Sequence, residues 1–358
     1  MGRQSRHSKD LQSQSPTLKE VATTAGVSTA TVSRVMNRDS RISQATSQRV
    51  LQVIEQMGYS PNPFARGLKT NKSRTIGFIV PEFTNDFFMK IARGMESKLR
   101  QEQYALVICN ANENVKDEEQ RLNLLLDQGV DGLLVIPSSD QGAHFLEADR
   151  RKIPLVLVDR LVKDYKTDAI LVDNVNGSYQ AVELAIQQGM KSIGFIGGSP
   201  QLTSAKERYA GFARALEDYH LPLVQDQVIF GDFHQDSGYG AMEAICQLSH
   251  PPQGVFLSNV FMHLGAAKYL LEHKYHLDQI PEIIGFDELD LSYGLGFCHI
   301  MVRQPVEEIG ILAAQTLLDR IHGVPWNGGV IRRLKTQVIQ SHGIEAKAKD
   351  EFSLHSIT

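Results

Sequence analysis

The chain has 358 residues, of which 42% are apolar and 22% are charged, a composition typical of a water-soluble protein with two or three domains. No apolar run is long enough to cross a membrane, and the polar first residues lack the apolar core of an export signal, so we expect a cytoplasmic protein with no membrane partner. Three widely spaced cysteines without a C-x-x-C motif favour reduced thiols: Cys109, Cys246 and Cys298.

Charge is distributed unevenly along the chain. Residues 1–74 contain twelve basic and four acidic residues, a net charge of +8, so the remainder carries −12 of the overall −4. A basic end on an acidic body is the pattern of a module that binds phosphate groups. We therefore expect a nucleic-acid-binding segment, preceded by a disordered polar tail over residues 1–16.

Residues 17–60 are predicted to form three short helices. Thr17 can cap the first helix, and Glu20 completes a capping box with it. Ser28 and Ser43 can cap the second and third helices. Because a tight turn joins the first two helices, the segment is predicted to be a helix-turn-helix whose second helix enters the major groove of DNA.

The polar face of the second helix suits this role. Arg34 can donate two hydrogen bonds to a guanine, while the small side chains around it allow a close approach and hydroxyl groups reach phosphates. The helix pattern alone is equally compatible with a small three-helix bundle that has an ordinary solvated face. The basic charge of the segment favours DNA binding.

Several motifs follow one another in a fixed order through this region. They are Val21-Ala22, Ala25-Gly26-Val27-Ser28, Thr31-Val32-Ser33-Arg34-Val35, Asn37, Tyr59-Ser60-Pro61-Asn62 and Ala65-Arg66-Gly67-Leu68-Lys69. This ordered set resembles the lactose-repressor (LacI/GalR) family of bacterial transcription regulators. The resemblance implies that double-stranded operator DNA is a partner. Bases would be contacted by Leu18, Thr29, Ala30 and Arg34, and phosphates mainly by Ser28, Thr31, Ser33 and Asn37.

Residues 61–73 are predicted to form a hinge helix and linker. The helical stretch is too short to be stable alone, so we expect it to order only with DNA and a second subunit. The resemblance implies a homodimer in which Leu68 inserts into the minor groove, with Ala65 and Lys69 also at the DNA. Packing of Leu68 onto the body is the alternative.

After residue 74 apolar strand-like runs alternate with amphipathic helices, which predicts parallel sheets covered by helices on both faces. The predicted strands are Thr75–Val80, Ala105–Cys109, Gly132–Ile136, Leu155–Val158, Ile170–Val172, Ser192–Ile196, Gly254–Leu257, Ile283–Gly285 and Ile300–Val302. The predicted helices include Phe87–Gln101, Glu118–Gln128, Ser178–Gln188, Lys206–Tyr219 and Val306–Ile321.

These strands are too many for one comfortable sheet, so we divide them between two lobes. The resemblance implies an α/β two-lobed effector domain of the periplasmic-binding-protein type over residues 74–343, joined to an all-α helix-turn-helix headpiece. We place the chain crossings near Ile170, Gln304 and Asn327. The N-lobe then comprises about 74–170 and 304–327 and the C-lobe about 171–303 and 328–343, followed by a tail over 344–358.

Residues just after the strands are the candidates for a ligand site, because open α/β sheets bind ligands at the carboxyl ends of their strands. The family's effector positions correspond to Phe87, Phe88, Asp173, Ser204, Arg208, Phe233 and Asp287, and strand ends add Asp159 and Asn259. Carboxylates, a guanidinium and aromatic faces suit a sugar-like, sugar-acid or heterocyclic effector. An Asp after a strand can also merely cap the next helix, an alternative that weighs equally for Asp159.

The chain departs from the family at one corner of this site. Val260 stands where the family usually has Asp, and His263 stands where a small residue is common. The twelve histidines show no paired metal spacing, and we expect His263, His273 and His276 to lie on a solvated helix face.

Other classes of protein fit less well. The glycines of residues 194–198 match neither a dinucleotide-binding motif nor a P-loop, and no catalytic motif is present, so we expect neither an enzyme nor a cofactor. A solute-binding protein would share the body but would need an export signal and would not contain residues 17–70. We therefore predict a repressor of a carbohydrate-use operon, controlled by a small effector. A regulator of the same family that responds to a purine or another heterocycle is the alternative.

Overall fold

The computed structural model describes residues 16–36, 39–59, 73–277, 279–287, 298–325 and 328–340. By its internal contacts the chain divides into an N-terminal unit, residues 1–73, and a body, residues 74–358. The predicted hinge helix and almost all of both predicted tails lie outside the described residues. Four predicted DNA contacts lie outside them as well: Asn37, Ala65, Leu68 and Lys69.

The described part of the N-terminal unit contains three helices, as predicted: α1 (Leu18–Ala25), α2 (Thr29–Met36) and α3 (Gln44–Met57). The capping box is present, because the Glu20 amide donates to Thr17 Oγ1 at 3.3 Å and the Thr17 amide donates to Glu20 Oε2 at 2.7 Å. Gly26 then ends α1 with a left-handed φ of 62°. The buried core consists of small branched side chains from all three helices, among them Val21, Val32 and Val50.

The described part of the body contains twelve strands and eight further helices. The strands are β1 (Thr75–Val80), β2 (Ala105–Asn110), β3 (Gly132–Val135), β4 (Leu155–Val158), β5 (Asp168–Val172), β6 (Ile193–Gly197), β7 (Val228–Phe230), β8 (Gly254–Leu257), β9 (Glu282–Phe286), β10 (Cys298–Arg303), β11 (Ile331–Leu334) and β12 (Gln337–Gln340). The helices are α4 (Asp86–Gln101), α5 (Val115–Asp127), α6 (Leu146–Arg150), α7 (Asn174–Gln187), α8 (Thr203–Asp218), α9 (Gln235–Cys246), α10 (Val260–His273) and α11 (Val306–Ile321).

These strands form two six-stranded sheets, one in each lobe. The first has the order β11-β5-β4-β3-β1-β2 and all its pairs are parallel. The second has the order β12-β10-β9-β8-β6-β7, with β12 antiparallel to β10 and the other pairs parallel. All nine predicted strands are present, and the sequence prediction omitted β7, β11 and β12.

Helices cover both faces of each sheet. In the first lobe α4 and α11 bury Met95 and Leu317 against one face, and α5 buries Leu122 against the other. Glycine lets α4 and α11 approach closely, since a Cβ on Gly94 would lie 2.3 Å from the carbonyl oxygen of Glu307. Two similar apolar clusters cover the second sheet. The carboxyl ends of the parallel strands remain uncovered by these layers.

The chain passes between the sheets three times, at Asp173, at Gln304-Pro305 and at Lys335-Thr336. The third crossing lies after β11 and not near Asn327, because Ile331 of β11 pairs with Ala169 of β5 in the first sheet. The first crossing likewise follows the end of β5, a few residues beyond Ile170. β11 is an exposed edge strand with two arginines, and it therefore lacks the apolar run that marks the other strands.

His263 is buried rather than solvated, so its predicted exposure was wrong. Its side chain is 2% exposed and lies against Gly285 of β9, and Nδ1 has no hydrogen-bond partner. Burial lowers the pKa of His263 to about 4, because a charged imidazolium would be desolvated there. His276 is exposed, as predicted, and within the described residues no cluster of His, Cys, Asp and Glu could hold a metal ion.

His263 should make the stability of the body depend on pH. Between the folded pKa of about 4 and the ordinary value of about 6.5, only the unfolded chain binds a proton at this position. The free energy of unfolding therefore decreases as the pH falls. Between pH 7 and pH 5 it should decrease by about 2 kcal/mol more in wild type than in His263→Leu.

Urea unfolding of both proteins at the two pH values measures this difference. His276→Leu, which replaces an exposed histidine, serves as the control and should retain the wild-type pH dependence. If wild type and His263→Leu differ in free energy of unfolding by the same amount at both pH values, the pH dependence does not come from His263.

Candidate functional site

The predicted DNA-reading face of α2 is exposed in the N-terminal unit. Thr29, Ala30 and Arg34 are solvent-exposed, whereas Val32 and Val35 on the opposite face are buried. Within the described residues the Arg34 guanidinium has no hydrogen-bond or ion-pair partner, so it is available to an external acceptor. This is the arrangement that a recognition helix needs.

The other predicted DNA contacts in the described residues differ in exposure. The Ser28 hydroxyl is exposed and lies 2.9 Å from the Thr31 hydroxyl, and it accepts a hydrogen bond from the Thr31 amide at 3.1 Å. Ser33 is half-buried. Leu18 is also half-buried and packs against the helical core, so only part of its side chain can reach a base.

In the body, the strand ends of both lobes line one cleft with an empty volume of about 460 Å³, including its mouth. Eight of the nine predicted effector residues line the cleft: Phe87, Phe88, Asp159, Ser204, Arg208, Phe233, Asn259 and Asp287. They come from six separate segments of the chain, which the two sheets bring together.

Asp173 is the exception, because it caps a helix and does not line this cleft. Its carboxylate accepts hydrogen bonds from the Asn176 amide at 3.1 Å and from Asn176 Nδ2 at 2.6 Å. The reason is that α7 begins at Asn174, four residues before its predicted start at Ser178. Both oxygens of the carboxylate therefore have partners within the helix.

Arg208 lies at the centre of the cleft wall and is almost fully buried. Its Nε donates to Asn174 Oδ1 at 2.9 Å and one terminal nitrogen donates to the Ser258 carbonyl at 2.5 Å. The same nitrogen lies 3.9 Å from Asp287 Oδ2, and the guanidinium stacks 3.8 Å from the centre of the Phe286 ring. Burial lowers the pKa of Arg208, and the Asp287 carboxylate opposes this shift.

A second buried guanidinium, Arg160, lies on the first-lobe side of the cleft. Its terminal nitrogens donate to both oxygens of Glu113, at 2.9 and 3.0 Å, and to the Pro137 carbonyl at 2.9 Å. Its Nε is 3.6 Å from Asp159 Oδ2. Asp159 Oδ1 is buried without a partner, and burial raises the pKa of this carboxyl group. An external hydroxyl group could donate to that oxygen.

Four residues that line the cleft have left-handed backbone conformations. Glu113, Asp159, Phe233 and Asp287 each come after a strand and have φ values of 51°, 64°, 71° and 76°. A non-glycine residue in this region is strained, and such strain is concentrated at functional sites. Two further contacts hold the cleft: Asn259 Nδ2 donates to the Phe233 carbonyl at 3.0 Å, and Gln304 Nε2 donates to Asp287 Oδ1.

The cleft also contains six residues beyond the nine predicted effector contacts: Glu82, Asn85, Glu113, Arg160, His234 and Phe261. Asn85 and Arg160 were candidates by their position after strands. A signal for Glu113 was available, because it follows β2 at the same edge as the other strand ends. Phe261 lies in the first turn of α10, two residues after Asn259. Arg160 adjoins the predicted Asp159.

Acidic groups outnumber basic groups in this cleft. Four carboxylates face two guanidinium groups: Glu82, Glu113, Asp159 and Asp287 against Arg160 and Arg208. Both guanidinium groups donate to protein acceptors, although Arg160 Nε is buried without a hydrogen-bond partner. The cleft therefore offers carboxylate oxygens, aromatic faces and one unpaired guanidinium N–H group, with an excess of negative charge.

Comparisons with known proteins identify two family profiles along the chain. Residues 17–62 match the profile described as bacterial regulatory proteins, lacI family, and residues 76–295 match a periplasmic binding protein domain. No helix in the described parts of the chain is long and apolar enough to cross a membrane.

The chain is also similar to named repressors. It is 33% identical over 305 residues to the HTH-type transcriptional repressor PurR of Actinobacillus pleuropneumoniae serotype 5b (strain L20), covering 85% of this chain and 91% of the relative. A structure of the transcriptional regulator CelR with cellobiose is 27% identical, with a TM-score of 0.66 and coverage of 90% and 98%. The lac repressor dimer bound to operator and the anti-inducer ONPF, at 22% identity, has a TM-score of 0.80 and coverage of 91% and 98%.

Proposed function

The chain belongs to the lacI family of bacterial regulatory proteins and is a transcriptional regulator with a helix-turn-helix headpiece, and we propose what it regulates, how it reads DNA and what it binds. It represses a carbohydrate-use operon in the cytoplasm. Two headpieces of a homodimer read a pseudo-palindromic operator. The cleft of the body binds a neutral effector rich in hydroxyl groups, and the protein catalyses no reaction.

The observation that carries the effector proposal is the distribution of hydrogen-bond partners in the cleft. Sugar hydroxyls donate to carboxylates, and Asp159 Oδ1 is a buried carboxylate oxygen without a partner. The excess of carboxylates over guanidinium groups disfavours an anionic ligand, and the terminal nitrogens of Arg160 already donate to both oxygens of Glu113, with which a sugar acid would have to compete. The similarity to CelR in its cellobiose complex supports a carbohydrate.

A nucleoside or another heterocycle is the second candidate, because the cleft has an unusual number of aromatic rings. Phe87, Phe88, Phe233 and Phe261 all line it, and a flat ring can stack on such faces. Carboxylates would accept hydrogen bonds from ring amino groups as well as from ribose hydroxyls. A transport protein for solutes is disfavoured by the headpiece at residues 17–62.

Residues of the headpiece divide into those that read bases and those that contact phosphates. Arg34→Ala should lower affinity for a duplex selected by the protein from a random-sequence library, with little effect on unselected DNA. The expected loss is roughly 1–3 kcal/mol, the value of a bidentate contact to a guanine. Gel-shift titrations on the two DNAs measure it.

Arg49→Ala is the matched control, because it removes the same charge from the exposed face of α3. It should weaken binding to both DNAs by the same factor, if at all. Equal weakening of both DNAs by Arg34→Ala would mean that Arg34 contacts phosphate only.

The effector class can be tested by calorimetry with neutral sugars, sugar acids, sugar phosphates and nucleosides. We expect the tightest ligand to be neutral. Asp287→Asn should weaken it by roughly 1.5–3 kcal/mol, the contribution of a hydrogen bond to a charged group. Asp173→Asn should leave its affinity unchanged, because this carboxylate caps α7 and Asn is also a good cap.

Two outcomes would overturn the effector proposal. The first is a sugar acid or phosphate as the tightest ligand, since the cleft holds more carboxylates than guanidinium groups. The second is an equal loss of affinity in the Asp173 and Asp287 variants.

A further inference from the structure

The first two turns of α8 contact both lobes. On one side, Ser204 and Arg208 line the cleft. On the other side, Thr203, Lys206 and Glu207 face the first lobe, although α8 itself packs against the second sheet. The spacing follows the helical repeat, in which residues three and four apart share a face. The effector side and the inter-lobe side of α8 are therefore parts of the same two turns.

The strongest of these inter-lobe contacts joins Glu207 to Arg333 of β11. Arg333 donates from both terminal nitrogens to the two Glu207 oxygens, at 2.6 and 2.9 Å. It also donates to the carbonyl of Val172, the last residue of β5, at 3.2 Å. A bidentate pair of this kind fixes the orientation of the carboxylate as well as its position. It lies beside the first and third crossings between the lobes.

Glu207 in turn orients a buried amide. Glu207 Oε2 accepts from Asn174 Nδ2 at 3.0 Å, and Asn174 Oδ1 accepts from Arg208 Nε at 2.9 Å. Asn174 is fully buried at the first crossing. Because a carboxylate only accepts, it holds the amide with its NH₂ group toward Glu207 and its oxygen toward Arg208.

The same chain of contacts continues to the second crossing. Arg208 faces Asp287 at 3.9 Å, and Asp287 accepts from Gln304. Asn174 lies at the first crossing, Gln304 lies at the second, and Arg333 lies beside the third. All three residues thus belong to a single polar network. The cleft arginine is at its centre.

We propose that Glu207 and Arg333 are positioning residues for Arg208, acting through the Asn174 amide. The pair fixes the direction in which Arg208 Nε donates, and hence the plane that the guanidinium presents to the cleft. The pair also links the orientation of the guanidinium to β11, so a change in the angle between the lobes changes the orientation of Arg208. The role in effector recognition rests on the proposed function, but the geometry of the network does not.

The orientation of Arg208 can be followed without an effector by arginine-selective nitrogen-15 NMR of the full-length protein. The Arg208 Nε–H signal is identified by its absence in Arg208→Lys. Its proton should exchange slowly with solvent in wild type, because it is buried and hydrogen-bonded. In Glu207→Gln the amide of Asn174 loses its fixed orientation, and exchange should become about tenfold faster.

Matched controls separate this role from a general loss of charge. Glu217→Gln makes the same change on an exposed residue of α8, and Arg332→Gln removes an exposed arginine next to Arg333. Neither should change the exchange rate by more than about twofold. Arg333→Gln leaves the contact between Glu207 and Asn174 in place and should have an intermediate effect, which Arg333→Lys should partly restore.

Exchange at the wild-type rate in folded Glu207→Gln would overturn the proposal. If that variant does not fold, Arg333→Gln decides: wild-type exchange in it, or an equal increase in Arg332→Gln, overturns the proposal. The result does not depend on which ligand binds. If the calorimetric screen contradicts the proposed effector class, the positioning role of Glu207 and Arg333 is unaffected. If the exchange measurement contradicts the positioning role, the proposed effector class is unaffected.

Discussion

The burial of Arg160 and Arg208 is the constraint on which the cleft depends. A guanidinium removed from water is unfavourable by several kcal/mol unless acceptors replace its hydration. Arg208 meets this requirement with Asn174, the Ser258 carbonyl and Asp287, which lie at the ends of different strands or the start of a helix. The positive charge therefore holds the strand ends of the second lobe in a fixed relation to one another.

The same constraint shapes what the cleft can bind. Since carboxylates outnumber guanidinium groups in the cleft and both guanidinium groups donate to protein acceptors, a ligand meets mainly carboxylate oxygens and aromatic faces, with the Arg160 Nε–H group as an unpaired donor. It also shapes how the lobes are linked, because the acceptor for Arg208 Nε stands at a crossing and is oriented from the other lobe through Glu207. Ligand recognition and inter-lobe geometry thus share side chains, which is the physical requirement for coupling between a site and a conformational change.

Much of this arrangement could be predicted from the sequence where local signals were strong. The capping box of Thr17 and the glycine at position 26 indicated α1, and continuous apolar runs such as Thr75–Val80 indicated the central strands. Eight of the nine residues that the sequence predicts as effector contacts line the same cleft, in agreement with the rule that ligands bind at strand ends. The rule succeeds because parallel strands share one carboxyl edge, whatever their order in the sheet.

Other features depended on tertiary contacts that no local pattern records. β11 is an exposed strand of sequence Ile-Arg-Arg-Leu, and only its pairing with β5 marks it as a strand. The early start of α7 at Asn174 was missed because Asn and Gly near its beginning are typical of turns, so the capping role of Asp173 was not predicted. The burial of His263 against Gly285 and the pairing of Glu207 with Arg333 likewise join residues that are distant in the chain.

We propose that a small molecule in the cleft controls the affinity of the headpiece for DNA. The selected duplex is titrated with wild-type protein, first without ligand and then at saturating concentration of the tightest ligand from the calorimetric screen. We expect a change in DNA affinity of about fivefold or more, and by linkage the same factor in ligand affinity when DNA is bound. Unchanged DNA affinity under conditions where calorimetry shows the cleft to be saturated would contradict it.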